Sequence, residues 1–298
     1  KLVLLVVGIM MAALFAGCGN DAPKEQASKK IQVVTSFNAM AEFTKAIGGD
    51  KVEVSTIIPD GVEPHDFELK PENMKQLATA QVFVYNGFGM EPWAKQAIEA
   101  AKNDKLVTVV ATEGVEAIKN TDPEEIKEHG AEDPHAWLSL KDAKIEVKNI
   151  KDALVKADPA NKDYYEKNYT EYVGKLDAMI KKYEEQFAKA PHKNFVTGHA
   201  AFAYLSRDFG LEQNSVEDVF AEGEPNAAQL AKLIEYVKEN NITTIFAEEM
   251  ASPEVSKTLA KEVGAKVETI YTIESKEDDK TYLQRMDENL AKIAESLK

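Results

Sequence analysis

Residues 158–190, DPANKDYYEKNYTEYVGKLDAMIKKYEEQFAKA, constrain the fold more than any other stretch. Tyr165, Tyr169, Tyr172, Leu176, Ile180, Tyr183 and Phe187 recur at steps of three and four, a single apolar stripe along one helix. Asp158 is placed to act as its N-cap, and Pro159 suits the first helical position. Roughly thirty residues at ~1.5 Å each make a rod of about 45 Å. A rod of that length divides the chain, and each part must pack along it. The aromatic stripe is better suited to packing than to holding a cofactor.

Both parts read as alternating strands and helices. Before the rod, IQVVTSF (31–37), VEVSTII (52–58), VFVYNG and LVTVV have strand character, with helices to about Ile47, from near Pro71, and around 92–102. After it come NFVTG, ITTIFAEE and KVETIYT, with helices at about 226–240, 253–263 and 279–297. This pattern argues for parallel sheets covered on both faces. The expected class is α/β: two lobes, 31–157 and 191–298, each with a parallel sheet flanked by helices, joined by the connecting helix 158–190. No internal repeat is visible in the sequence.

The first residues differ in kind. LVLLVVGIMMAALFAGC is an apolar run shorter than the ~20 residues that span a bilayer, so residues 1–17 are expected to be a signal segment. It ends in LFAGC, which resembles the lipobox of bacterial lipoproteins, although Phe15 stands where leucine is usual. Cys18 is the only cysteine of the chain, which suits a lipidation site and leaves no disulfide to form. Residues 18–30 then read as a lipidated Cys and a flexible polar tether. The expected location is extracytoplasmic, anchored to the cell membrane. With 51 acidic against 36 basic residues and a formal net charge of -15, the surface repels phosphates, which argues against nucleic acid.

Five histidines are present, at 65, 129, 135, 192 and 199. His65 lies in DGVEPHDFEL after a predicted strand, and His199 directly follows the strand NFVTG. His135 lies in EDPHAWLSL, behind the acidic loop 111–134. A lone histidine at a strand end is usually structural, but ligands of open α/β sheets bind beyond the carboxyl ends of strands. Single histidines about seventy residues apart exclude a zinc finger, whose ligands come in close pairs, and suit a site assembled between two lobes. His129 and His192 read as a loop residue and a structural or exposed one.

SFNAMAEF, GVEPHDFE, DPHAWLSL, GHAAFAYL and FAEEMASPEVSKTLAKEVGAKV together resemble the zinc/manganese solute-binding lipoproteins of bacterial ABC importers, from about residue 31 to the C-terminus. The resemblance implies two α/β lobes joined by a long helix, a metal held between them, and an ABC permease as partner. It assigns His65, His135 and His199 as ligands and a carboxylate near the last strand as the fourth. IYTIES (270–275) matches the turn of the zinc-specific relatives, placing Glu274 there, although the proline of the usual turn is missing. The His-rich loop common before DPH in zinc-binding relatives is also missing.

Three neutral imidazoles and one carboxylate suit tetrahedral Zn²⁺. Mn²⁺ prefers more oxygen ligands, so histidine at 199 favours zinc, with a manganese receptor of the same family as the alternative. Asp133, Glu63, Asp66 and Glu248 or Glu249 are candidates to orient the rings, and Trp137 and Phe67 to wall the crevice. Two readings from other classes remain: a surface zinc hydrolase using three histidines with Glu248 or Glu249 as base, and an adhesin-like protein with a structural ion. No HExxH motif is present, and the expectation is a transport receptor, not an enzyme. A monomer is expected.

Overall fold

The computed structural model describes residues 30–120, 126–127, 130–219, 226–248 and 253–298. The expected signal segment, Cys18, all but the last tether residue, His129 and Glu249 lie outside the described residues. In the N-terminal half, strands β1 (Ile31–Thr35), β2 (Val52–Thr56), β3 (Val82–Tyr85) and β4 (Val107–Val110) alternate with helices α1 (Asn38–Gly48), α2 (Pro71–Thr79) and α3 (Ala94–Ala101). Helix α4 (Leu140–Ala157) follows, its N-cap Ser139 accepting from the Asp142 amide at 2.9 Å. The long helix α5 (Lys162–Lys189) leads into β5 (Asn194–Thr197), α6 (Ala203–Phe209), β6 (Glu212–Ser215), α7 (Ala227–Glu239), β7 (Thr244–Ala247), α8 (Pro253–Val263), β8 (Lys266–Thr269) and α9 (Tyr282–Ser296).

All pairings within the two sheets are parallel, in the orders β2-β1-β3-β4 and β6-β5-β7-β8. The second sheet thus repeats the topology of the first. In each, strand order reverses between the first and third strands of the half, which opens a crevice at their carboxyl ends. The expected fold class is the one observed.

Helix α5 buries Tyr165, Tyr172, Leu176, Ile180, Tyr183 and Phe187, the stripe seen in the sequence. One apolar core runs from Phe43, Val84 and Leu154 through Tyr172 and Leu176 of the rod to Phe195, Ile270 and Leu290 of the second half. A smaller cluster around Val196, Leu233, Ile245 and Leu259 fills the other face of the second sheet, because neighbouring strand residues point to opposite faces.

Three expectations are corrected. Asp158 does not cap the rod: a short 3-10 turn, Pro159–Asn161, intervenes, and the Asp158 carboxylate instead accepts from the Asn161 amide at 2.6 Å and the Tyr165 phenol at 2.8 Å. Strand β6, sequence EQNS, escapes sequence reading because an edge strand with solvent on its far side needs no apolar run. The final helix begins at Tyr282, not near 279, because Thr281 and Gln284 form a reciprocal capping box.

Candidate metal centre

Each half contributes two side chains to one buried point. His65 comes from the loop after β2, where the Glu63 carboxylate accepts from its main-chain N–H at 3.3 Å; its side chain is 1% exposed. Phe67 packs edge-on against Trp93, their ring centres 5.8 Å apart. His135 sits just before a 3-10 turn, Ala136–Leu138. Asp133 accepts from both its main-chain N–H, at 2.9 Å, and its ring Nδ1, at 2.8 Å. That bond keeps a ring proton on Nδ1 and turns Nε2 inward, where it offers a lone pair once the ring is neutral. Trp137 lies beneath, its ring centre 5.1 Å from that of His135.

His199 follows β5 at the reversal point of the second sheet. Its carbonyl accepts from Thr197 Oγ1 at 2.7 Å and Gln213 Nε2 at 3.0 Å. A Cβ at position 198 would stand 1.9 Å from Glu248 Oε2, so any larger residue there would displace the Glu248 carboxylate from the His199 main chain. Glu274 follows β8 on a turn in which Ile273 takes φ +62°, a conformation that a β-branched residue adopts only when held. The first half holds it: the Asn38 amide donates to the Ile273 carbonyl at 3.2 Å, and the Asn38 N–H to the Glu274 carbonyl at 3.3 Å. The Gly61 N–H donates to Ser275 Oγ at 2.7 Å.

The result is a four-donor cluster of His65, His135, His199 and Glu274, with donor atoms all within 4.8 Å of one another. His135 Nε2 lies 3.2 Å from His65 Nε2, 3.3 Å from His199 Nε2 and 3.3 Å from Glu274 Oε1. Metal–ligand bonds of ~2.0–2.1 Å in a tetrahedron set neighbouring donors about 3.3–3.4 Å apart. Glu274 Oε1 is buried with no hydrogen-bond partner, while Thr272 Oγ1 donates to Oε2 at 2.9 Å. An orphaned carboxylate oxygen facing three imidazole nitrogens is the donor set of a borderline cation such as Zn²⁺.

Charge is distributed unevenly. Burial opposes the charge on His135, but the Asp133 and Glu274 carboxylates outweigh it and raise its pKa to about 9. Burial dominates at His199 and lowers it to about 3. Burial also resists ionisation of Glu274, yet His135 and His65 hold its carboxyl well below the usual range. Burial pushes Glu63 up to about 8, aided by the charge of Glu274, and Glu248 likewise to about 8. Glu274 is therefore ionised at neutral pH.

Of the candidate orienting groups, Asp133 binds the ring of His135, and Glu63 the backbone of His65. Glu248 meets the His199 main-chain N–H at 3.4 Å and stands outside the four-donor cluster. Asp66 and His192 are exposed. Sequence reading missed Thr272, Asn38, Ser275 and Tyr204, whose phenol donates to the Asp133 carbonyl at 2.6 Å and accepts from the Ile118 N–H at 3.1 Å. They bond to segments distant in sequence, a relation that no local motif signals.

Residues 33–296 match the family described as zinc-uptake complex component A, periplasmic. The chain is 42% identical over 299 residues to the high-affinity zinc uptake system protein ZnuA of Bacillus subtilis, covering 95% of this chain and 94% of that one. It is 42% identical over 272 residues to a putative metal-binding protein of Treponema pallidum, covering 89% and 86%. The crystal structure of a Zn(II)-bound mutant variant of AdcAII from Streptococcus pneumoniae superposes with a TM-score of 0.82 at 34% identity, covering 91% and 99%. The fold and the buried His/Glu cluster are those of a metal-binding solute receptor. The chain belongs to the periplasmic zinc-uptake component A family, a family of solute-binding receptors and not of enzymes.

Proposed function

We propose that this protein captures extracytoplasmic Zn²⁺ with His65, His135, His199 and Glu274 and delivers it to an ABC permease. The lobes are residues 31–157 and 191–298 about the connector 158–190, and Cys18 carries the lipid that anchors a monomeric receptor to the membrane. The observation that carries the reading is the buried cluster of three imidazole nitrogens and one orphaned carboxylate oxygen. Zinc is the cargo, so the site must bind without reacting. Four protein donors support that, since catalytic zinc keeps an open position for water. Mn²⁺ is disfavoured by the nitrogen-rich set.

The test is metal analysis of protein purified without added metal, followed by titration against a competing chelator. The expected result is one zinc per chain, held more tightly than manganese. Substoichiometric zinc with full-strength manganese binding would overturn the assignment of cargo. Cys18→Ser is expected to abolish lipid labelling.

A further inference from the structure

The Glu274 carboxylate is divided in its surroundings. Oε2 accepts the Thr272 hydroxyl at 2.9 Å, whereas Oε1 has no hydrogen-bond partner and stands 3.3 Å from His135 Nε2 and 3.6 Å from His65 Nε2. Thr272 cannot easily yield. It is 1% exposed, and its own carbonyl accepts the Trp137 indole N–H at 2.7 Å. A hydroxyl bonded to an ionised carboxylate is also roughly twice as strong a contact as a neutral pair.

We propose that Thr272 is a specificity-determining positioning residue: by occupying Oε2 it restricts Glu274 to one donor oxygen and so favours Zn²⁺ over Mn²⁺. The proposal rests on the assignment of His65, His135, His199 and Glu274 as the zinc ligands. With one oxygen from Glu274 the protein offers four donors, the number that a tetrahedral zinc site takes. A carboxylate free to use both oxygens offers a fifth donor and a more oxygen-rich set, which suits an ion of octahedral preference. The side chain next to a ligand thereby sets the count of ligand atoms without touching the ion.

Three variants test this: Thr272→Val, Thr272→Ala and Thr272→Ser, each first checked by metal-free thermal melting against the parent. Zinc and manganese affinities are measured by competition with the same indicator, and the Co²⁺-loaded forms by visible absorption, which weakens as coordination rises above four. The expected result is a zinc-to-manganese affinity ratio reduced by about tenfold or more in the Val and Ala variants, the scale on which groups supporting a ligand act. Their Co²⁺ bands should weaken, and the Ser variant should keep the parent ratio and spectrum. An equal loss for both metals, or an unchanged ratio in both hydroxyl-less variants, overturns the proposal while leaving zinc capture intact. A parent protein that binds no zinc overturns both.

Discussion

The indole N–H of Trp137 donates to the main-chain carbonyl of Thr272 at 2.7 Å, joining residues 135 positions apart. Trp137 is two residues beyond His135, and Thr272 two residues before Glu274, so one bond ties the segments that carry two of the four donors. Tyr282 strengthens the tie by donating its phenol to the Trp137 carbonyl at 2.6 Å.

Trp137→Phe keeps an aromatic ring beneath His135 but leaves the Thr272 carbonyl buried without its donor. A loss of about 1–3 kcal/mol in metal-free stability is expected. It is read from the midpoint of urea unfolding at unchanged slope. Zinc affinity should also fall, because the Glu274 turn loses its anchor. Wild-type stability in this variant would show that the bond is not a structural tie.

Glu274→Ala removes the one carboxylate of the cluster and opens a position to water. Zinc affinity is expected to drop by at least about tenfold, with the fold retained. Glu277→Ala, outside the four-donor cluster, should bind as the parent does. Chelator competition on both variants decides the matter, and equal affinity in Glu274→Ala and the parent would remove this residue from the site.

Binding should be coupled to protons through His135. In the metal-free protein, burial opposes its charge but Asp133 and Glu274 prevail and raise its pKa to about 9. Zinc needs Nε2 bare, so below about pH 9 the proton must leave, and affinity should fall about tenfold per unit as pH drops. The metal-free fold follows the opposite trend. A raised folded-state pKa gives stability that is full below the unfolded value of 6.5 and lost as pH rises through about 9. Calorimetry at neutral pH in buffers of different ionisation enthalpy should report about one proton released per zinc. An affinity that does not change from pH 6 to 8 would contradict the scheme.

His65 and His199 were legible because they sit in Gly- or Pro-marked loops at recognisable strand ends, whereas His135 and Glu274 came only from the resemblance of DPHAWLSL and IYTIES to family motifs. The interactions that hold the four donors were not legible. Asn38 reaches Ile273, and Gly61 reaches Ser275, across more than two hundred residues, and nothing in SFNAMAEF or IYTIES indicates such pairing. The rod was legible because its stripe has the helical period. Its start was not, because Asp158 has a nearby phenol and amide to bind instead of an N-cap. The duplicated strand order was invisible, since topology is set by crossover connections and one strand of the second sheet, EQNS, has no apolar pattern.

Asp278 lies in the turn after the metal cluster and braces α9. Burial opposes its ionisation, but the Lys280 N–H, the Arg285 guanidinium and the Lys280 ammonium outweigh it and lower its pKa to about 2. Arg285 Nε donates to its carboxylate at 3.0 Å, and the guanidinium is buried. A depressed pKa gives stability that is present above 3.8 and lost as pH falls toward 2. Asp278→Asn should therefore cost about 1–2 kcal/mol at pH 7, allowing for its partial exposure, and little at pH 2. Thermal melts at both pH values check this, and an equal deficit at both would assign the effect to packing.

The core shared by α5 and both halves bears on how the ion leaves. A receptor with a pliant waist can swing open at little cost, but here a swing would have to tear apolar contacts along a helix of 28 residues. The short turn at 272–275 is a second tie between the halves, kept in place by bonds from Trp137, Asn38 and Gly61. In the proposed receptor, parting the halves therefore means breaking two unlike fastenings at once, one apolar and one hydrogen-bonded.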